Sequence, residues 1–257
     1  MKVATFNANS IRSRIEPIRN WLAEHQPDVL AVQETKAQDE DFPQEAFADT
    51  GYNVLFCGQK KYNGVALFGR TEPKNVCRRL PGDTGEEARF LQADYGSVTV
   101  VNTYIPQGRE MDTETFRYKL RWYGWLREYF AERIGPHSKL IWLGDLNVAR
   151  QAIDVHNPDG LWGSVCFCQE VQDAFEGVLS TGLTDLFRLH HPDQPGQYTF
   201  WDYRVPNGFK RNLGWRLDYI TATAAMTKHC THCEIDLQPR TLEKPSDHTF
   251  LWAEFDI

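Results

Sequence analysis

Residues 90–104 read FLQADYGSVTVVNTY, two strand-like runs (Phe90–Tyr95 and Val98–Tyr104) with only Gly96 and Ser97 between them. Apolar and β-branched residues in short runs mark strands. Val54–Phe56 and Val65–Phe68 are a second pair with no helical pattern between them. Outward from these, Val3–Phe6 and Val29–Val32 flank RIEPIRNWLAEH (Arg14–His25), where Ile15, Ile18, Trp21 and Leu22 recur at helical spacing and Pro17 is tolerable in a first turn. Thr113–Ile134 and Val171–Leu179 carry the same period. Leu140–Leu143, Leu217–Thr221, Cys233–Leu237 and Thr249–Phe255 complete the strand set. Pure βαβ repetition would build a parallel doubly wound sheet. Several strands between helices predict instead an α/β fold of α+β type, with many antiparallel pairs and helices outside. No repeat, low-complexity tract or linker interrupts the pattern. Asn157–Gly163 reads as a long functional loop, so residues 1–257 are expected to form one domain.

The chain has 257 residues, 41% hydrophobic and 13% aromatic, enough for a sizeable core and incompatible with disorder. Its net charge of -7 argues against a protein that coats nucleic acid nonspecifically. A locally basic face is still compatible with that total, because only the near surface meets phosphates. MKVATFNANS has polar residues by position seven. No run approaches the roughly 18 apolar residues of a membrane span. A cytoplasmic protein with no membrane partner is expected, its six cysteines (Cys57, Cys77, Cys166, Cys168, Cys230, Cys233) reduced. The HCTHC stretch (His229–Cys233) could be drawn as a zinc site. Strand alternation through THCEIDLQ sends neighbouring residues to opposite faces, which spoils the chelate.

Polar side chains recur where the apolar runs give out: Asn7, Glu34, Tyr104, Asp145, Asn147, Asp218, Asp247 and His248. Sites in sheet proteins gather at such junctions. Glu34, Asp145, Asp218 and Asp247, if brought together, would repel strongly unless some protonate or a cation offsets them. Oxygen donors with little sulfur or imidazole suit Mg²⁺ or Mn²⁺, and Mg²⁺ favours phosphate as a further ligand. In GDLN, Gly144 would let the chain turn so that Asp145 and Asn147 both reach a pocket, one aligning water and the other serving an oxyanion. His248 cannot easily bond its neighbour Asp247. Its expected partner is Asp218, which would hold it cationic.

VATFNAN, VLAVQETK, NTYIPQG, IWLGDLNVA, GWRLDYI and EKPSDH resemble the signature segments of the endonuclease/exonuclease/phosphatase superfamily, and within it the exonuclease III-type apurinic/apyrimidinic (AP) endonucleases. The resemblance runs over essentially the whole chain. It implies a four-layered α/β sandwich, with two mixed, mostly antiparallel sheets face to face and helices outside. It also implies a Mg²⁺-dependent phosphodiesterase acting on double-stranded DNA with abasic or 3′-blocked lesions, working as a monomer. By the same match Glu34 is the principal metal ligand, with Asn7 and Asp247 close by. Asp145 positions water, Asn147 and Tyr104 orient phosphate, and Asp218 pairs with His248. Asp154 matches a further acid of the loop. Whether Asp145 or His248 is the general base, and whether one or two metals act, stays open. So do two alternatives: another phosphoesterase acting on RNA or a small ester, and a silent nucleic-acid-binding relative.

Phe200, Trp215 and Leu217 match positions lining an apolar pocket for a flipped, base-free sugar, which aromatic walls would admit while excluding a nucleotide. Lys60 with Lys61, Arg109, Arg117 with Lys119 and Arg121, and Lys210 with Arg211 are candidate DNA contacts, Arg109 for a groove. The chain departs from the family pattern in DGLWGSVCFCQEVQ. Ser164 stands where an active-site asparagine is usual, and Val171-Gln172 replaces Glu-Arg. In relatives that loop separates abasic incision from 3′-end processing.

Overall fold

The computed structural model describes residues 1–257, and period-two alternation within the strands sorts their side chains into separate cores. The strands are β1 (Lys2–Asn7), β2 (Val29–Gln33), β3 (Asn53–Cys57), β4 (Val65–Gly69), β5 (Lys74–Cys77), β6 (Phe90–Tyr95), β7 (Val98–Tyr104), β8 (Leu140–Asp145), β9 (Leu183–Asp185), β10 (Asp218–Thr223), β11 (Cys230–Asp236) and β12 (Phe250–Phe255). They form two six-stranded sheets, ordered β11-β12-β1-β2-β4-β3 and β5-β6-β7-β8-β10-β9. In each sheet a single parallel pair lies at the centre, β1 with β2 and β7 with β8. Parallel neighbours need a crossover. It is supplied by α1 (Ile15–His25) in one sheet and α2 (Glu114–Arg133) in the other.

Along β1, Val3 faces the space between the sheets while Ala4 and Phe6 face the outer layer with α1. In β8, Ile141 and Leu143 join the inter-sheet core, and Leu140 and Trp142 pack outward against Phe130 of α2 and Phe175 of a further helix, α3 (Gln169–Leu179). Three cores therefore separate four layers, the sandwich implied by the resemblance. Every predicted strand and long helix is present, with ends shifted by a few residues. Thr113, for example, is a cap accepting from Phe116 N at 3.3 Å.

Two strands escaped the sequence reading. Lys74–Cys77 lies at an edge, with only its last residue better than exposed, and Leu183–Asp185 has three residues. Neither carries an apolar run: β5 is an exposed edge, and β9, although Leu183 and Asp185 are buried, is too short to show a pattern. Gly144 does not make the expected turn. It lies inside β8, where a Cβ would approach Thr103 O to 1.9 Å. The turn falls at Asn147, whose φ of 51° is left-handed.

Candidate active site

Strand register assembles the site. Tyr104, Asp145 and Asp218 sit side by side on the neighbouring strands β7, β8 and β10, since Asp145 pairs in register with both others. In the facing sheet Asn7 ends β1, Glu34 directly follows β2, and Asp247 and His248 lead into β12. The polar ends of both sheets thus meet at one edge of the sandwich. Glu34 and Asn147 both hold left-handed backbone, a conformation uncommon outside glycine and frequent at functional sites.

A cleft of 510 Å³ opens there. Glu34, Tyr104, Asp145, Asn147, Asp247 and His248 line its polar side, Phe200, Trp215 and Leu217 its apolar wall, and Arg109 and Ser164 its rim. Phe200 is held by bridges to both Trp215 and His248, which stitches the wall to the catalytic end. A larger depression of 640 Å³ around Arg150 and Arg188 contains none of these groups, and its ion pairs are internally satisfied.

His248 Nδ1 lies 2.8 Å from Asp218 Oδ2, and its Nε2 lies 3.7 Å from Asp145 Oδ2. Burial alone would favour neutral imidazole. Asp218 and Asp145 outweigh it and push the His248 pKa up to about 10. Burial, Asp218 and Glu34 push the Asp145 carboxyl up to about 7, against the opposing pull of His248. Burial likewise favours neutral Glu34, but Lys36, Asn7 and Tyr104 hold its carboxyl below the usual range. Lys36 Nζ is 2.8 Å from Glu34 Oε2. Burial and the nearby Glu34 and Asp145 keep Tyr104 a protonated phenol.

At the strand ends four carboxylates (Glu34, Asp145, Asp218, Asp247) therefore face two cations (Lys36, His248), with Arg109 and the Arg204–Asp202 pair further along the lining, and Asp218 Oδ1 is buried without a partner. Hard oxygen donors in negative excess fit a divalent cation. Ligand atoms of Asp145, Asp218 and His248 lie within 4.8 Å of one another. The imidazolium already supplies the charge at that spot, which leaves Glu34, on the opposite side of Asn7 and paired with Lys36, as the carboxylate free of the Asp–His pair.

Asn7 requires a correction. Its Oδ1 accepts from Asn9 N at 2.9 Å, so the amide nitrogen faces inward, 3.0 Å from Glu34 Oε1 and 2.9 Å from Asp145 Oδ2. It is a donor bridging two carboxylates, with its oxygen turned to the Asn9 backbone. Asp154 is not at the cleft either. Buried completely, it accepts from Arg188 and Arg216, and Arg216 also bonds Asp185. Its effect is to hold Arg216 between the wall residues Trp215 and Leu217. Lys119 is fully buried and cannot meet DNA, while its helix neighbours Arg117 and Arg121 both bond Glu114. Lys60 is exposed on the β3–β4 connection, outside the cleft lining. Sequence reasoning missed Asn9, which donates to Asp247 Oδ1 at 2.9 Å, and Lys36. Each stands two residues past a singled-out position, which was a usable signal. Gln107, Cys166, Asp202 and Arg204 also line the cleft with no such signal.

Residues 4–248 match the endonuclease/exonuclease/phosphatase family, and the chain belongs to it. Exodeoxyribonuclease III of Haemophilus influenzae is 34% identical over 267 positions, covering 99% of this chain and 100% of the relative. The exodeoxyribonuclease of Bacillus subtilis is 31% identical, over 91% of this chain and 93% of its own. An AP endonuclease from Archaeoglobus fulgidus superposes with a TM-score of 0.97 at 43% identity, and a Neisseria 3′ phosphatase bound to a product DNA hairpin with 0.97 at 36%, each over 100% of both chains. The chain is thus a hydrolytic enzyme of the exonuclease III type. No helix is long and apolar enough to cross a membrane.

Proposed function

We propose that this DNA-repair nuclease is a Mg²⁺-dependent phosphodiesterase that incises duplex DNA 5′ to an abasic site, leaving a 3′-hydroxyl. One observation carries the reading: the Asp218–His248–Asp145 chain opens directly onto the apolar wall of Phe200, Trp215 and Leu217. A charged phosphate and a slim, base-free sugar would occupy those two halves, and an intact base would not pass the rings. Asp145 aligns the attacking water and takes its proton, its carboxylate lying beside the His248 ring at the polar end of the cleft. The His248 imidazolium faces the phosphate oxygens that gain charge as the water attacks. Asn147 gives one amide hydrogen to Ile105 O at 2.9 Å and keeps the other for a phosphate oxygen. Tyr104 donates its phenolic hydrogen. Glu34, with Asp247 close by, would hold the Mg²⁺, which would supply charge to offset the phosphate and the departing 3′-oxygen.

Ser164 Oγ is buried without a partner on the cleft rim. It favours a companion activity in which a 3′-terminal phosphate sits in the same place. A duplex carrying one tetrahydrofuran abasic analogue, incubated with Mg²⁺ and resolved on a gel, should yield a single incised product with a 3′-hydroxyl. EDTA should abolish the product and Mg²⁺ or Mn²⁺ restore it. An intact duplex under both conditions would sink the reading.

A further inference from the structure

Lys119 occupies a core position. It lies on the buried stripe of α2 with Phe116, Trp122, Tyr123 and Leu126, is 0% exposed, and has no carboxylate among its partners. An unpaired ammonium is expensive there, and an apolar side chain would fill the space without that cost. Its three N–H donors instead reach three backbone carbonyls: Gln107 O at 3.1 Å, Asn147 O at 2.7 Å and Val165 O at 2.6 Å. None of the three accepts another hydrogen bond in the chain.

The carbonyls belong to three separate loops: after β7, after β8, and ahead of α3. Gln107, Asn147 and Val165 all line the cleft, as do Arg109, Ser164 and Cys166 beside them. The loops are fitted to the side chain as well. Gly108, at φ 95°, would place a Cβ 3.2 Å from Lys119 Cδ, and Asn147 is held left-handed at the carbonyl that Lys119 grips.

We propose that Lys119 is a positioning residue: its ammonium ties the three cleft loops into one rigid rim and so holds Asn147 where cleavage needs it. The inference rests on the nuclease reading of the cleft and goes beyond it. Lys119 touches no substrate. It acts through backbone that does.

The test uses the full-length, Mg²⁺-loaded protein as wild type, Lys119→Met and Lys119→Arg, with the abasic duplex. Lys119→Met keeps the stem and loses the donors. Its kcat should fall about 10²-fold, the usual consequence of a catalytic group displaced by about an ångström, with KM within about 3-fold. Hydrogen exchange should accelerate together at residues 107–109, 147–149 and 163–167, while β8 and the distal half of α2 keep wild-type rates. Lys119→Arg retains charge and donors and should recover at least about tenfold of the lost kcat. Unchanged loop exchange overturns the clamp. Loosened loops with unchanged kcat overturn its catalytic consequence. Exchange rising equally across α2 and the sheets, with kcat falling in step, reduces Lys119 to general stability. Should the methionine variant fail to fold, the arginine variant decides by the same two readouts. If the wild type leaves the abasic duplex intact, the nuclease reading fails by itself, and exchange alone still judges the clamp.

Discussion

Two buried charge clusters lie on either side of the Trp215–Leu217 segment, and they are built on opposite principles. Behind the wall, Asp154 and Asp185 meet Arg188 and Arg216. Two carboxylates are matched by two buried guanidiniums, with Arg150 at 3.8 Å from Asp185 on the surface side, and Asp154 is held below the usual carboxylate range: burial opposes this, but Arg216 and Arg188 outweigh it. At the cleft, Asp145 and Asp218 share one imidazolium, Asp218 Oδ1 has no partner, and Asp145 is pushed up to about 7. Matched charge with bidentate geometry makes a strut. Unmatched charge makes a reagent, because a group displaced from its ordinary pKa can exchange a proton near neutrality. Local sequence does not distinguish these fates: Asp145 and Asp154 stand nine residues apart in one stretch.

The contrast breaks most visibly in turnover. Asp145→Asn should cut kcat by at least ~10²-fold while leaving duplex binding intact, measured by single-turnover incision beside equilibrium binding. Asp154→Asn should leave the active-site chemistry of the folded fraction near wild type. Near-normal turnover in the Asp145 variant would remove it from the mechanism.

Stability should respond with opposite sign. Asp154→Asn strips a partner from buried Arg216 and should cost about 3–5 kcal/mol, on the order of 10 °C in Tm by calorimetry. Asp145→Asn should raise Tm by a few degrees at pH 8 in EDTA, since it removes a carboxylate whose ionised form burial disfavours. A raised carboxyl contributes stability only while protonated. That contribution is complete below the ordinary carboxylate range and is lost as pH climbs through about 7. The Asp145→Asn gain should therefore shrink at pH 5 and vanish only below the ordinary carboxylate range. His248, raised to about 10, supplies stability that is whole below the ordinary imidazole range and lost only as pH climbs through 10. A Tm rise that persists unchanged at pH 5 would show that ionisation is not its cause.

The finest test is the titration itself. Carboxyl carbon NMR of the metal-free protein should show Asp145 titrating near pH 7 and Asp154 titrating below the ordinary carboxylate range. Added Mg²⁺ should lower the Asp145 value, because a nearby cation favours the carboxylate. An Asp145 unmoved by Mg²⁺ would put the cation elsewhere.

How legible each residue was depended on how local its role is. Tyr104, Asp145 and Asp218 could be read because a polar residue ending an apolar run is visible in a window of ten. For His248 the steric unsuitability of Asp247 pointed only to a distant acid, and the family resemblance singled out Asp218. Asn7 was found, but its role was not: the amide's direction is set by Asn9 N, a contact between residues that share no pattern. Lys119 was misread because a lysine between two arginines, at positions 117–121, looks like solvated surface. Its burial depends on which face α2 turns toward three loops. The edge strand β5 was silent because it buries too little to need an apolar run, and β9 because three residues are too few to show one.

The sequence by itself determined the longer strands, the long helices, the mixed sheet arrangement and the identity of the polar residues at the strand ends. Those are consequences of periodicity and burial, which act over a few residues at a time. Only the tertiary structure decided which charges are balanced and which are not. Electrostatic balance depends on distances between groups up to two hundred residues apart, and no stretch of chain contains both ends of such a distance.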